Sequence, residues 1–487
     1  MIGLRTRALN AAVWYGGTRI VSQGLSWVVT VQLARLLTPA DYGVFAMAVG
    51  ALLFLDLFQE LGLGTAVIQR RDLSALQVNA VFWVLTATSV IVCAAAFAGA
   101  PVVAAIYAEP RLAGLVRMLS LTFLLNSLRV IPYGLLTKTL DLKGRSFGEL
   151  CGTVVAGIVA LVAAHAGLGV YALVLGHLAR TAVFNTVLLW LCPWRPGLTA
   201  SFQGLRSVFL FGGQMTASSF VSAVSPMFNN MLIARLLGGY ALGFFTMADS
   251  IATMPHRIST ALMNQISLPV FSENQDDRRT LQEHFLKISK YLAVVAIPVH
   301  IGLALTAPEF VVLVLSDKWA AIVRPVQIMA IASAITGATV TASALLSACG
   351  RADMLFRAVV FIDLALAVSI VAGAPGGVTG LAIALLVVTI VTRGYLFNLG
   401  LRELSIPIAR YLRTITGPLK AVVAMAVAMA LVRLGNQGLA LPVGLVLDIA
   451  VGAVVYAGVL FLSDRAFYLE FRGMARDLLS PARSGVS

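Results

Sequence analysis

Fourteen apolar segments follow one another along the chain, separated by short polar or glycine-rich breaks. They run at 10–37, 43–68, 79–104, 114–137, 149–166, 170–191, 207–237, 241–270, 288–315, 320–349, 355–373, 378–401, 415–434 and 441–463. About 20 residues of helix cross an ~30 Å hydrocarbon core, so each segment is read as a membrane span. Spans of this kind must satisfy their own backbone groups, which favours helices. The pattern therefore predicts an all-α polytopic membrane protein of about fourteen transmembrane helices. The tightest break is Gly167-Leu168-Gly169, a minimal turn between the fifth and sixth spans.

The polar breaks also carry a repeat. Residues 33–48 and 233–248 are identical at 8 of 16 positions without a gap. Ala34-Arg35-Leu36-Leu37 returns as Ala234-Arg235-Leu236-Leu237. Gly43, Phe45, Met47 and Ala48 return as Gly243, Phe245, Met247 and Ala248. Val21-Ser22 returns as Val221-Ser222. Alanine and leucine recur readily in membrane sequence, but an arginine and a spaced Gly-x-Phe-x-Met-Ala do not. The chain reads as two copies of one six-helix unit, with a site expected between them. The expected domains are 1–200 (helices one to six), 201–405 (helices seven to twelve), and 406–487 (two further helices and a basic tail).

Composition agrees with the pattern. Of 487 residues, 59% are hydrophobic and 11% charged, against about 25% charged in soluble domains. The net charge of +14 is a matter of where the cations lie. With the N-terminus cytoplasmic, inner loops hold 23 of the 35 Lys and Arg residues and outer loops hold seven. That bias follows the positive-inside rule and places both termini of a multi-pass membrane protein in the cytoplasm. It makes nucleic acid an unexpected partner. The two halves then enter the membrane in the same direction, as parallel lobes. The first apolar run is too long for a cleaved leader. The largest inner loop, 272–287, is expected to be partly helical at the membrane surface. Cys93, Cys151, Cys192 and Cys349 have no metal-ligand spacing and are expected as free thiols.

Little of the chain could carry enzyme chemistry. It has no Gly-Lys dipeptide for a P-loop, no His-Glu-x-x-His and no cysteine pairs for zinc. No catalytic residue, metal or cofactor is expected. The informative residues are the ionisable ones inside spans, each costing about 2.5–3.5 kcal/mol at the bilayer centre unless partnered or wet. The cations are Arg19, Arg129, Arg180, Arg257 and Arg393, and the acids are Asp56, Glu60, Asp249, Asp363 and Asp448. Asp56 and Glu60 share one helix face, and Glu60 falls at about the depth of Arg19. Two readings stay open there: a buried Arg19–Glu60 pair that locks two helices, or Arg19 facing a cavity and binding an anionic head group while an acid tunes it. Arg257 follows Pro255 in the eighth span, the counterpart of the second, and is placed to face the same cavity, with Asp249 available to neutralise it. Arg129 and Arg180 are cavity candidates or structural pairs. Asp363 and Arg393 are expected as an inter-helix ion pair. Prolines 132, 226, 255, 269, 298 and 325 are expected to bend helices.

Several stretches resemble a known family. LARLLTPADYGVFAMA (33–48), GLGTAVIQRRDLSALQVNAVFW (62–83), IPYGLLTKTLDLKGRSF (131–147), NNMLIARLLGGYALGFFTMADSIATMP (229–255) and LPVFSENQDDRRTL (268–281) are similar to bacterial polysaccharide transporters of the O-antigen and colanic acid exporter type. These belong to the superfamily of multidrug, oligosaccharidyl-lipid and polysaccharide exporters. The resemblance implies two six-helix lobes around a cationic cavity plus two C-terminal helices. It implies a flippase that carries a polyprenyl-diphosphate-linked oligosaccharide from the cytoplasmic to the periplasmic leaflet for exopolysaccharide or lipopolysaccharide synthesis. By resemblance, Arg19 and Arg257 would hold the diphosphate. Relatives often carry Asp and Gly where this chain has Asn229 and Ala234, so ion coupling, if that Asp serves it, would be either lost or moved, with Asp249 a candidate. Two other classes stay open: an ion-coupled exporter of small molecules or drugs, which predicts an acidic cavity, and a non-transporting scaffold for polysaccharide polymerase and assembly proteins. One chain already holds both lobes, so a functional monomer is expected.

Overall fold

The computed structural model describes the backbone of residues 2–60, 63–64, 67, 74–138, 142–201, 203, 205–273, 277–435, 440–465, 467 and 469. Side chains are described for these except 2–16, 19–20, 57, 142, 206–209, 211–223, 257–266 and 268–269. No strand occurs among the described residues. The helices are α1 (Ile2–Leu36), α2 (Pro39–Glu60), α3 (Ala75–Tyr107), α4 (Arg111–Lys138), α5 (Leu142–His165), α6 (Tyr171–Leu191), α7 (Arg206–Glu273), α8 (Arg278–Phe310), α9 (Val323–Thr339), α10 (Thr341–Ala348), α11 (Ala352–Gly373), α12 (Gly377–Glu403), α13 (Ile408–Gly435) and α14 (Leu441–Ser463). Eleven stretches among the described residues are helices long and apolar enough to cross a membrane. Two of them contain a break: Gly238 in 224–256, and the 3₁₀ turn Ala374–Gly376 in 352–403.

Local sequence explains where helices start and stop. At α2, the Thr38 amide donates to Asp41 Oδ2 (2.9 Å) and the Asp41 amide to Thr38 Oγ1 (3.3 Å), with Pro39 at the first helical position. This is a capping box with aspartate in the usual glutamate role. Ser74 and Gln77 form the same device at α3. Gly167 (φ 78°) and Gly169 (φ 53°) supply the left-handed residues that let α5 turn back as α6.

The chain divides into two compact units, Met1–Thr246 and Met247–Ser487. In the first, α5 and α6 pack as a hairpin, α3 and α4 as another, α1 lies on α5, and α2 bridges to α3 and α4. Its core includes Leu63, Val81, Leu85, Val130 and Ile131, all at or below 5% exposure. In the second, α8 packs on α9 and α13, α9 on α12, and α13 on α14. Phe271, Phe285, Leu345, Leu396 and Phe397 form its principal core.

The repeat has a packing cause. Ala34 and Ala234, Met47 and Met247, and Ala48 and Ala248 are buried at each of their two positions, while Arg35 and Arg235 are exposed. Within the first unit the two copies touch. A Cβ on Gly43 would lie 1.7 Å from the Gly239 carbonyl oxygen, and one on Gly243 would lie 1.8 Å from the Pro39 carbonyl oxygen. Residues 39 and 239, like 43 and 243, are repeat equivalents. The two contacts are therefore images of each other, a local two-fold crossing that only glycine admits.

The 272–287 segment is partly helical, as expected: α8 begins at Arg278, capped by Asp277, which accepts from the Arg279 and Thr280 amides. α7 is interrupted at Gly238 (φ 82°, ψ 172°), an extended mirror conformation open to glycine, in the break expected between the spans 207–237 and 241–270. One expectation needs correction: Asp363 lies within electrostatic reach of Arg393 but the two form no ion pair, because their depths differ. Gly373 and Gly380 pack against one another where α11 turns into α12. Asp363 lies ten residues before that contact and Arg393 thirteen after it, a mismatch of about 4.5 Å at 1.5 Å per residue.

Candidate functional site: an arginine cavity in the first unit

Three helices of the first unit each carry a polar stripe at helical spacing. On α4 it is Asn126, Arg129 and Tyr133; on α5, Arg145 and Glu149; on α6, His177, Arg180, Thr181, Phe184 and Asn185. Steps of three and four residues put each set on one helix face. Packing of α4 on α6 and of α6 on α5 turns those faces toward one another. They enclose a cavity of about 470 Å³. Such stripes would be expensive against lipid, and facing a shared polar space removes the cost.

The charges inside are held loosely. Arg180 Nη2 is 3.8 Å from Glu149 Oε1, and Arg129 Nη2 is 3.9 Å from Glu60 Oε2 at the end of α2. Charge-assisted N–H···O bonds are about 2.7–2.9 Å long, so neither pair is a formed hydrogen bond. Arg145 lies flat over the Tyr133 ring at 4.1 Å, donates to the Tyr133 hydroxyl, and donates to Thr137 Oγ1 at 3.2 Å. Arg129 approaches the same ring at 5.7 Å. One tyrosine thus orients two guanidinium groups by cation–π attraction. The Nε atoms of Arg129 and Arg145 are buried and have no hydrogen-bond partner among the described residues. Asn185 donates to the Leu125 carbonyl (2.8 Å) and the Asn126 side chain (3.4 Å), pinning α6 to α4 beside the cavity. Three arginines face one lining glutamate, with Glu60 at the margin.

The structure brings Arg129 and Arg180 to this cavity, together with Glu60 as the partner of Arg129. Among the described side chains the neighbour of Glu60 is Arg129, on α4; the Arg19–Glu60 reading falls on a side chain outside them. Asp56, one turn earlier, is exposed and makes no ion pair among the described residues, though it lies within electrostatic reach of Arg129. Asp249 lies on α7 in the second unit and is half-buried; its carbonyl accepts from Thr253 Oγ1 at 2.7 Å. Arg19 and Arg257 lie outside the residues whose side chains are described. Sequence reading missed Arg145, which counted as an inner-loop cation because it follows Lys138 and Lys143 closely. It also passed over Tyr133, Glu149 and Asn185. The signal was present as the i, i+3, i+4 spacing of polar residues on three successive spans.

A different arginine is tightly bound. Arg433 Nη2 donates to Glu309 Oε2 at 2.7 Å and its Nε to Asp448 Oδ2 at 2.8 Å, tying α13 to α8 and α14. Among the described residues no group of three or more His, Cys, Asp and Glu could hold a metal ion. Cys93 and Cys192 are buried free thiols, and Cys151 and Cys349 are half-buried free thiols.

Comparison with known proteins then fixes the class. Residues 32–324 match the family described as polysaccharide biosynthesis protein, well over half of the chain. The chain belongs to that polysaccharide biosynthesis family. The Escherichia coli K12 lipopolysaccharide biosynthesis protein WzxC is 25% identical over 398 residues, 80% of each chain. The fold is that of the solved lipid II flippase MurJ in its inward closed conformation, with TM-score 0.73 at 15% identity over 96% of this chain and 99% of that one. It is shared, more distantly, with an inward-facing multidrug resistance transporter of the MATE family in the MOP superfamily, TM-score 0.64 over 81% of this chain and 98% of that one.

Proposed function

We propose that this protein flips a polyprenyl-diphosphate-linked oligosaccharide from the cytoplasmic to the periplasmic leaflet of the bacterial inner membrane. The observation that carries the proposal is the first-unit cavity, in which three arginines are oriented but only loosely paired. A diphosphate cannot cross hydrocarbon unaided. Guanidinium groups offer it planar, bidentate contacts, and loosely held pairs can be exchanged for a ligand at little cost, since exposed pairs are worth about 0–1 kcal/mol. Arg129 and Arg180 are proposed as ligands of the head group, with Arg145 stacked on Tyr133 as a third. Arg19 and Arg257 are proposed as further ligands on the strength of their sequence positions, and Asp56, Glu60 and Asp249 as acids that tune or couple the site. Fourteen spans in two parallel lobes and two C-terminal helices, both termini inside, and a functional monomer complete the reading.

The alternative of a cationic-drug exporter needs an acidic cavity; the described one carries an excess of arginine, which disfavours cations. The scaffold alternative requires only surface contacts and leaves the cavity arginines without a task.

The test uses a strain lacking the gene. Surface polysaccharide and polyprenyl-diphosphate-linked oligosaccharide would be quantified, with the leaflet assigned by accessibility to a membrane-impermeant reagent. Loss of polymer with intermediate trapped inside is the expected result. Normal polymer with no trapped intermediate, in a strain without a second transporter, would overturn the proposal.

A further inference from the structure

A second basic cavity lies in the second unit, apart from the arginine cavity of the first. Four helix ends meet there: the start of α8 at Arg278, the end of α10 before Cys349, the start of α11 after Arg351, and the end of α12 at Arg402 and Glu403. They enclose about 420 Å³. Gly350 (φ 69°) and Ser405 (φ 55°) supply the two turns that bring these ends together.

Its arginines are fixed on one side and open on the other. Arg278 Nη2 donates to the Glu403 carbonyl (3.0 Å) and to Ser405 Oγ (2.7 Å). Arg351 Nε donates to Glu403 Oε1 at 2.9 Å. A guanidinium has five N–H donors, so each retains N–H groups beyond these bonds. Arg402 makes no ion pair or side-chain hydrogen bond among the described residues. Glu403 is the one carboxylate lining the cavity, against three arginines. α11 adds an N-terminus with no side-chain cap, the positive end of a 22-residue helix. The floor is apolar: Leu281 and Leu404 are each 2% exposed.

An arginine rim over a leucine floor at the polar ends of membrane helices suits a phosphate ester with hydrocarbon attached. The geometry points to an anion site that holds the phosphate of an anionic membrane lipid, with Arg402 and Arg351 as the principal ligands. It is a structural lipid site separate from the transported head group, and it stands whether or not the transport reading does.

The test measures binding to the purified full chain. Vesicle-derived nanodiscs of phosphatidylcholine with graded phosphatidylglycerol would be combined with native mass spectrometry to count retained lipids. Inorganic phosphate serves as the soluble probe, and thermal unfolding checks each variant's fold. R402Q is expected to weaken retained phosphatidylglycerol by about tenfold, the loss of one charge-assisted hydrogen-bonding partner, and R351Q with R402Q by about a hundredfold, while R402K retains most of it. If inorganic phosphate binds with the same arginine dependence and phosphatidylglycerol shows no preference over phosphatidylcholine, the site stands with a soluble phosphate as its ligand. Equal retention of phosphatidylglycerol and of phosphate by folded wild type, R402Q and the double variant would overturn the proposal.

Discussion

Arg433 meets two carboxylates at 2.7 and 2.8 Å, whereas Arg180 meets one at 3.8 Å. The first distance is that of a formed charge-assisted bond and the second is not, so the two arginines are expected to fail differently when replaced. Removing Arg433 leaves Asp448, whose side chain is 5% exposed, without its partner. A fully buried broken pair costs about 3–5 kcal/mol. Arg433 itself is 30% exposed, and solvent screening brings the expected cost of R433Q down to about 1–3 kcal/mol. Thermal unfolding in detergent should show that loss, with R433K intermediate because an ammonium cannot bridge two carboxylates in a planar fork. R180A should behave in the opposite sense. Its unfolding temperature should stay near wild type while transport falls by roughly 10- to 100-fold, the value of about 1.5–3 kcal/mol for a hydrogen bond to a charged ligand. An R180A variant that loses stability and transport in proportion would identify Arg180 as a structural pair. The sequence could not separate these cases. It counted Arg433 as a charge at an outer helix end and Arg180 as a charge within a span, because depth is readable from a chain but separation from a partner is not.

Helix identity and order were legible, because 20-residue apolar runs act locally. The 200-residue repeat was legible as well, and the structure supplies its cause in the paired glycines of α2 and α7. What stayed hidden was the polar cavity, whose stripes sit on three helices that only packing brings together. The glycine crossing makes a sharp prediction. G43A places a methyl carbon 1.7 Å from a backbone oxygen, and G243A places one at 1.8 Å; backbone must shift to admit either. Each should destabilise the protein by about 1–3 kcal/mol, the usual cost of overpacking. G394A, where nothing lies within 4 Å, should be neutral or gain up to about 1 kcal/mol from helix propensity. Unfolding temperatures of the three variants in one detergent check it. Equal behaviour of G43A and G394A would show that the crossing gives way freely.

The connection between the two repeats is where the whole molecule can be put to the test. The segment after α6 has no regular helix, yet it is laced to the start of α3. Trp83 Nε1 donates to the Gly197 carbonyl (2.9 Å), Asn79 Nδ2 to the Thr199 carbonyl (3.0 Å) and Gln77 Nε2 to the Gln203 carbonyl (2.9 Å). The Ser201 amide donates to the Leu76 carbonyl at 3.1 Å, and Leu205 is buried in the α3–α4 core at 1% exposure. By these contacts the segment belongs to the first repeat as far as Leu205, a few residues beyond the boundary at 200 read from the repeat spacing. A chain cut after residue 205 keeps every one of those bonds within one fragment. A chain cut after residue 192 moves the acceptors to the other fragment, where they must find α3 from solution against the entropy of a free end. Co-expressed fragments 1–205 and 206–487 are therefore expected to restore surface polysaccharide to the deletion strain, and fragments 1–192 and 193–487 to restore much less at matched expression. Equal complementation by both pairs would mean that the lacing adds nothing to the first repeat. Failure of both, with each fragment present in the membrane, would mean that the covalent link itself is needed to assemble the two repeats into a working transporter.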